Sequence, residues 1–168
     1  MIMKSRPSRS VMVAITAILL TCVSGLCQAV SKSDRTKCQK SILANQESNK
    51  KSVIAFYNKA LNDKDPDEAL TYVGPTYKQH NPTAEDGREG FRKFILWVKS
   101  DHPDSHSEIE QVFADGDYVI LNVHMVRTPG ERGLAIGEIF RLEKGKIVEH
   151  WDRIQPIPES SKNSNGMF

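Results

Sequence analysis

The sequence predicts an α+β fold, with helices first and an antiparallel meander after them. Apolar residues recur at helical spacing in the first half of the chain, and the period changes to two from Ser105 onward. The tight-turn signals Asp115-Gly116-Asp117 and Lys144-Gly145 separate the strand-like runs. With 168 residues, 39 % hydrophobic and 26 % charged, the composition is that of a soluble globular chain. Collagen-like, low-complexity and multi-span membrane chains are excluded.

Lys4, Arg6 and Arg9 precede an apolar run over residues 11–20, and Cys27-Gln28-Ala29 supplies small residues after it. This is the pattern of a secretory signal peptide cleaved after Ala29. The run is short for a membrane span. A secreted or periplasmic protein is expected, with no membrane partner in its mature form. Segment 1–29 holds three basic residues and no acidic ones, so its removal takes the formal net charge from +2 to −1. No basic stretch remains to argue for nucleic acid. Cys38 is then the one cysteine left, which rules out an internal disulfide.

Residues 30–46 are polar and lack periodicity, which reads as a linker. Val53, Phe56, Tyr57, Ala60 and Leu61 form one apolar helical stripe, ended by Asn62-Asp63-Lys64. Asp65 is placed to cap a short helix, with Pro66 at its first position and Glu68 at capping-box spacing. Residues 71–82, with Gly74, Pro75 and Pro82, read as irregular. A third helix starts at Glu85 or Gly87 and runs to Lys99, with Phe91, Phe94, Ile95 and Val98 inward. His102-Pro103 closes it. Strands are expected over 109–114, 118–128, 133–143 and 146–154. The domain spans 47–158, and 159–168 is a polar tail ending in Met167 and Phe168.

Strand alternation puts Leu134, Ile136, Glu138, Phe140 and Leu142 on one face. Glu138 is thus a carboxyl within an apolar row. Burying a carboxylate costs several kcal/mol unless it is paired or neutralised, so the position points to a functional acid or a structural ion pair. Asn122 and His124 share a face of the preceding strand, and a hairpin about Pro129-Gly130 brings His124 near Glu138. An imidazole beside a carboxyl is oriented by it or shares its proton. In the last strand either His150 or Trp151 faces inward, and pattern alone does not choose. His102 and His106 are four apart, but Pro103 prevents the helix that would align them as ligands. There is no HExxH, paired-cysteine or Gly-rich phosphate motif. Neither a metal nor a cofactor is expected.

Three runs carry a family likeness: Tyr77-Lys78-Gln79-His80-Asn81-Pro82, Phe113-Ala114-Asp115-Gly116-Asp117-Tyr118-Val119, and residues 139–152 ending in Val148-Glu149-His150-Trp151-Asp152. Over residues 48–158 the chain resembles the SnoaL-like proteins of the nuclear transport factor 2-like superfamily. The resemblance implies a cone-shaped α+β barrel, a curved antiparallel sheet wrapped around three N-terminal helices with a pocket inside. Polyketide cyclases of that family close a ring by intramolecular aldol condensation without metal or cofactor. Their catalytic acid falls on Glu138 and their assisting histidine on the strand of His124. The family usually has Asp at the acid's position; Glu138 is one methylene longer and follows Gly137.

The functional expectation is a cofactor-independent lyase or isomerase acting next to a carbonyl, with Glu138 and His124 as its catalytic pair. Tyr77, His80, Asn81 and Trp97 are expected to contact the substrate, a small apolar or carbonyl-containing molecule. So are Asn122, Phe140, His150 and Trp151. The alternative is a secreted, non-catalytic binder of a small apolar ligand. A homodimer is expected, and a third reading is a domain whose open sheet face serves for dimerisation, with Met167 and Phe168 as candidates to dock on the partner.

Overall fold

Ser31 caps the first helix, its hydroxyl accepting the Asp34 amide at 3.1 Å. The computed structural model describes residues 31–168, so the expected signal peptide lies outside the described residues. Helix α1 covers Lys32–Tyr57 and passes unbroken through 32–46, where a linker was expected. No Gly or Pro interrupts it. Residues 31–45 are all exposed, so nothing selects an apolar stripe there; periodicity reports burial rather than helix formation. No described helix is long and apolar enough to cross a membrane.

The fold that carries the cavity lies within residues 40–168. Buried residues on α1 begin at Asn49 and continue with Val53, Phe56 and Tyr57. The helix widens into a π-helical turn, Asn58–Asn62. Lys64 then adopts a left-handed conformation, with φ of 52°. Its buried ammonium donates to the Ser105 carbonyl at 2.8 Å. Asn62 holds the same edge of the sheet: its side-chain amide donates to the Ser107 carbonyl at 2.9 Å and accepts the Ser107 N–H at 2.8 Å. Helix α2, Pro66–Leu70, is capped by the Asp65 carboxylate as expected, which accepts from the amides of Asp67 and Glu68. The reciprocal half of the capping box is not made, because the Asp65 N–H donates to the Lys59 carbonyl.

Strand β1, Val73–Gln79, occupies a stretch expected to be irregular. It is an edge strand, parallel to the last strand, and its register breaks between Val73 and Lys78. Proline and glycine are tolerated at such a break on an edge. Helix α3, Gly87–Asp101, buries Phe91, Ile95 and Val98. Phe94, expected inward, is 36 % exposed.

The meander follows as expected: β2 His106–Asp115, β3 Tyr118–Val126, β4 Leu134–Glu143 and β5 Lys146–Pro156. Among the described residues these four and β1 make one open, curved five-stranded sheet in the order β1-β5-β4-β3-β2. One face packs on the helices, where Val53, Phe56 and Ile95 meet Leu121, Phe140 and Leu142 in a single core cluster. The β4–β5 turn is the tight one expected, with Lys144 and Gly145 both at positive φ.

A bulge in β5 sets the register that matters. Glu143 pairs with Lys146 and Leu142 with Ile147, but Arg141 pairs with Glu149. Val148 is therefore an extra residue on β5. Phe140 consequently faces His150, and Glu138 faces Asp152. Without the extra residue Glu138 would pair with Trp151. Gly74 makes room for it: a Cβ at that position would lie 2.9 Å from Val148 Cγ1.

Candidate functional site

Glu138 sits in the middle of β4, 5 % exposed, on the inner face expected for it. Both its oxygens are engaged. The Tyr57 hydroxyl, delivered by the last turn of α1, donates to Oε1 at 2.9 Å. His150 Nε2 lies 2.6 Å from Oε2. The other ring nitrogen, Nδ1, is 2.9 Å from Gln79 Oε1. That oxygen also accepts the Asn81 backbone N–H at 2.9 Å, while Gln79 Nε2 donates to the Tyr77 hydroxyl oxygen at 3.2 Å. Asn81 Nδ2 closes the network by donating to Asp152 Oδ2 at 2.6 Å. A buried carboxyl is tolerable here because its lone pairs have partners.

The network borders a cavity of about 480 Å³ with mostly apolar walls, within the range of small-molecule sites. Phe56, Phe91, Ile136 and Phe140 form much of the wall. Phe94 and Trp97 line it while remaining partly exposed, which puts them at its rim. Burial, reinforced by the nearby Glu138 charge, pushes the phenols of Tyr57 and Tyr77 well above the usual tyrosine value. Both therefore stay neutral donors. The Tyr77 oxygen receives the Gln79 amide, and among the described residues its own hydrogen has no acceptor. It is available to something in the cavity.

Glu138, His150 and Asp152 offer ligand atoms within 4.8 Å of one another, a set chemically capable of holding a cation. Both imidazole nitrogens are already hydrogen-bonded. A cation would have to displace the 2.6 Å contact between Glu138 and His150.

Of the residues singled out from sequence, Glu138, Tyr77, Asn81, Trp97, Phe140 and His150 line the cavity. His124 does not meet Glu138. It pairs with Ala135 while Leu121 pairs with Glu138, so its side chain takes the opposite face of the sheet. There its Nε2 lies 2.8 Å from the Arg132 carbonyl and its ring packs on Phe168. Asn122, opposite Gly137, is on that outer face too. Trp151 is outer because of the Val148 bulge, and His80 stacks on it with ring centroids 4.6 Å apart. His80 Nε2 also contacts Glu149 at 2.8 Å. The open choice between His150 and Trp151 thus falls to His150.

Tyr57 and Gln79 are the members sequence reading did not pick, and Asp152 stood beside His150 and Trp151 as a polar candidate without a role. Tyr57 is indistinguishable from a core residue on its stripe. Gln79 sits on a strand that proline and glycine disguised. Asp152 shares a face with His150 by simple alternation, and that signal was readable.

The SnoaL-like domain model matches residues 53–150, more than half of the chain. Among curated proteins none matches significantly. Solved structures share the fold at low identity. TsrD from Streptomyces laurentii is 22 % identical over 63 % of this chain and 87 % of its own, with a TM-score of 0.54. A candidate polyketide cyclase from Acidithiobacillus ferrooxidans is 18 % identical over 64 % and 87 %, with a TM-score of 0.55. An NTF2-like protein of unknown function from Cytophaga hutchinsonii is 19 % identical over 64 % and 90 %, with a TM-score of 0.54. With the family model spanning both the sheet and two of the helices, the chain belongs to the SnoaL-like domain family and has a nuclear transport factor 2-like fold.

Proposed function

We propose that this protein is a cofactor-independent acid–base catalyst for a small carbonyl compound held in the cavity. The observation that carries the reading is a carboxyl and an imidazole 2.6 Å apart at the wall of an apolar cavity of about 480 Å³. With the proton of the Glu138–His150 contact on Nε2, the Glu138 carboxylate takes a proton from the carbon next to the carbonyl, and the electron pair of that bond forms an enolate. The Tyr77 hydroxyl donates to the enolate oxygen, as a preorganised donor in a dry site does best. In an aldol step the enolate carbon bonds to a second carbonyl carbon of the same molecule. The resulting alkoxide takes the proton that Glu138 holds. His150, not His124, is the histidine that shares a proton with the acid.

Glu138→Gln tests this. The amide keeps an acceptor for Tyr57 and puts a donor toward His150, so the fold is expected to survive. Turnover of a carbonyl substrate found by screening is expected to fall by at least about 100-fold, the scale of general-base contributions. Full turnover in that variant overturns the assignment. Unchanged ligand affinity with no turnover by the parent chain would favour the binder reading instead.

A homodimer is part of the same proposal. Phe113, Ile120, Ile139 and Trp151 pair in sequence across four strands and form one apolar row on the outer face. The first three are exposed. A second copy offers the same row, which an isologous contact requires. Ile120→Asp is expected to convert the dimer to monomer in sedimentation; a parent chain that sediments as monomer rejects it. Export from the cytoplasm, supported by residues 1–29, predicts a mature N-terminus at Val30 by Edman sequencing.

A further inference from the structure

The hydrogen bonds around Gln79 settle which ring nitrogen of His150 carries hydrogen. The Asn81 backbone N–H is a donor only, so the Gln79 side-chain atom 2.9 Å from it is the amide oxygen. The other end of the amide donates to the Tyr77 hydroxyl, consistent with that orientation. The same oxygen lies 2.9 Å from His150 Nδ1. An amide oxygen only accepts, so Nδ1 must be protonated. A neutral imidazole then presents the bare lone pair of Nε2 to Glu138 Oε2, 2.6 Å away. Two lone pairs cannot sit at that distance without a hydrogen between them. The pair therefore holds one exchangeable proton, on Nε2 or on the carboxyl.

We infer that Gln79 is a positioning residue for the proposed acid–base site. It fixes the Nδ1–H form of His150 and so dedicates Nε2 to Glu138. Gln79 is itself held from behind, its backbone N–H donating to Asp86 Oδ1 at 2.8 Å. Tyr57 meets the other oxygen of Glu138, so the orientation of the carboxyl is fixed from both sides. The inference rests on the proposed site being the working one, but the proton assignment itself needs no substrate.

The test is ¹⁵N NMR of the full chain labelled on histidine, with the His150 signals assigned by their loss in His150→Gln. Near neutral pH, Nδ1 of His150 is expected to show the shift and one-bond N–H coupling of a protonated nitrogen. In Gln79→Leu that signature is expected to weaken or move to Nε2. In Gln79→Glu, which keeps an acceptor at the same place, it is expected to return. An unprotonated Nδ1 in the parent chain overturns the inference, whether or not any variant folds. So does a Gln79→Leu spectrum identical to the parent's. If Glu138→Gln leaves turnover intact while the ¹⁵N pattern holds, the catalytic reading fails and the tautomer lock stands as an element of a binding site.

Discussion

Ile120 and Leu121 are neighbours in β3, yet Ile120 is 41 % exposed and Leu121 is fully buried. The difference repeats along the sheet and divides it into two unlike faces. The inner face is apolar but carries Glu138, His150 and Asp152 at its centre. The outer face carries the charged ladder Arg141–Glu149 with His80 beside it, and an apolar row, Phe113–Ile120–Ile139–Trp151, runs across it. Each face holds residues that its surroundings disfavour. The inner ones have intramolecular partners and open onto a cavity. In the outer row Phe113, Ile120 and Ile139 are left to solvent. The polar groups inside carry the proposal of a small molecule, and the apolar groups outside carry the proposal of a second chain.

Truncation separates the faces most sharply. Leu121→Ala is expected to destabilise the chain by about 2–5 kcal/mol, as a cavity in a packed core does. Ile120→Ala should change monomer stability by less than about 0.5 kcal/mol. Urea unfolding of both variants at low protein concentration checks the pair, and equal losses would break the comparison. A smaller effect is expected from Tyr57→Phe. It removes the donor to Glu138 Oε1 and leaves a buried acceptor unmatched, which costs about 1–3 kcal/mol by the same measurement. A stability gain would show that the inner polar chain is not held by that contact.

The smallest expected effect is on the outer face. The His80 and Arg141 hydrogen bonds hold the Glu149 carboxyl below its ordinary value of 4.5. A lowered folded-state value means stability that is present above that ordinary value and is lost as pH falls through the lowered one. The Tm difference between parent and Glu149→Gln should therefore be largest near neutrality and shrink below about pH 4.5. A difference that grows on acidification would reverse the sign and refute the assignment.

Much of this division was legible in sequence. Alternation along β4 identified Glu138 and its apolar neighbours, because a ten-residue strand with a clean period leaves one arrangement. The tight turn at Lys144-Gly145 was equally plain. His124 was misassigned for a physical reason. The loop around Pro129-Gly130 does not impose a register, and the observed one opposes His124 to Ala135. The choice between His150 and Trp151 depended on Val148, a single extra residue with no composition signal of its own. Its cause lies on β1, where Gly74 leaves space for the Val148 side chain. Gln79 was hidden for a related reason: once β1 is known to be a strand, the period of two turns Tyr77 and Gln79 inward together.

The Asn62 side chain on Ser107 has a consequence for how copies of this chain behave at high concentration. β2 is an edge strand, and an edge presents unpaired backbone groups to any passing strand. At Ser107 both of those groups are already taken by one amide, which imitates the next strand's peptide bond. At the opposite edge Pro75 withholds a donor and the broken register of β1 spoils the template. Strand-by-strand accretion, the route to amyloid-like growth, is therefore blunted at both margins. That leaves the flat of the sheet, with its apolar row, as the face open to the proposed second copy.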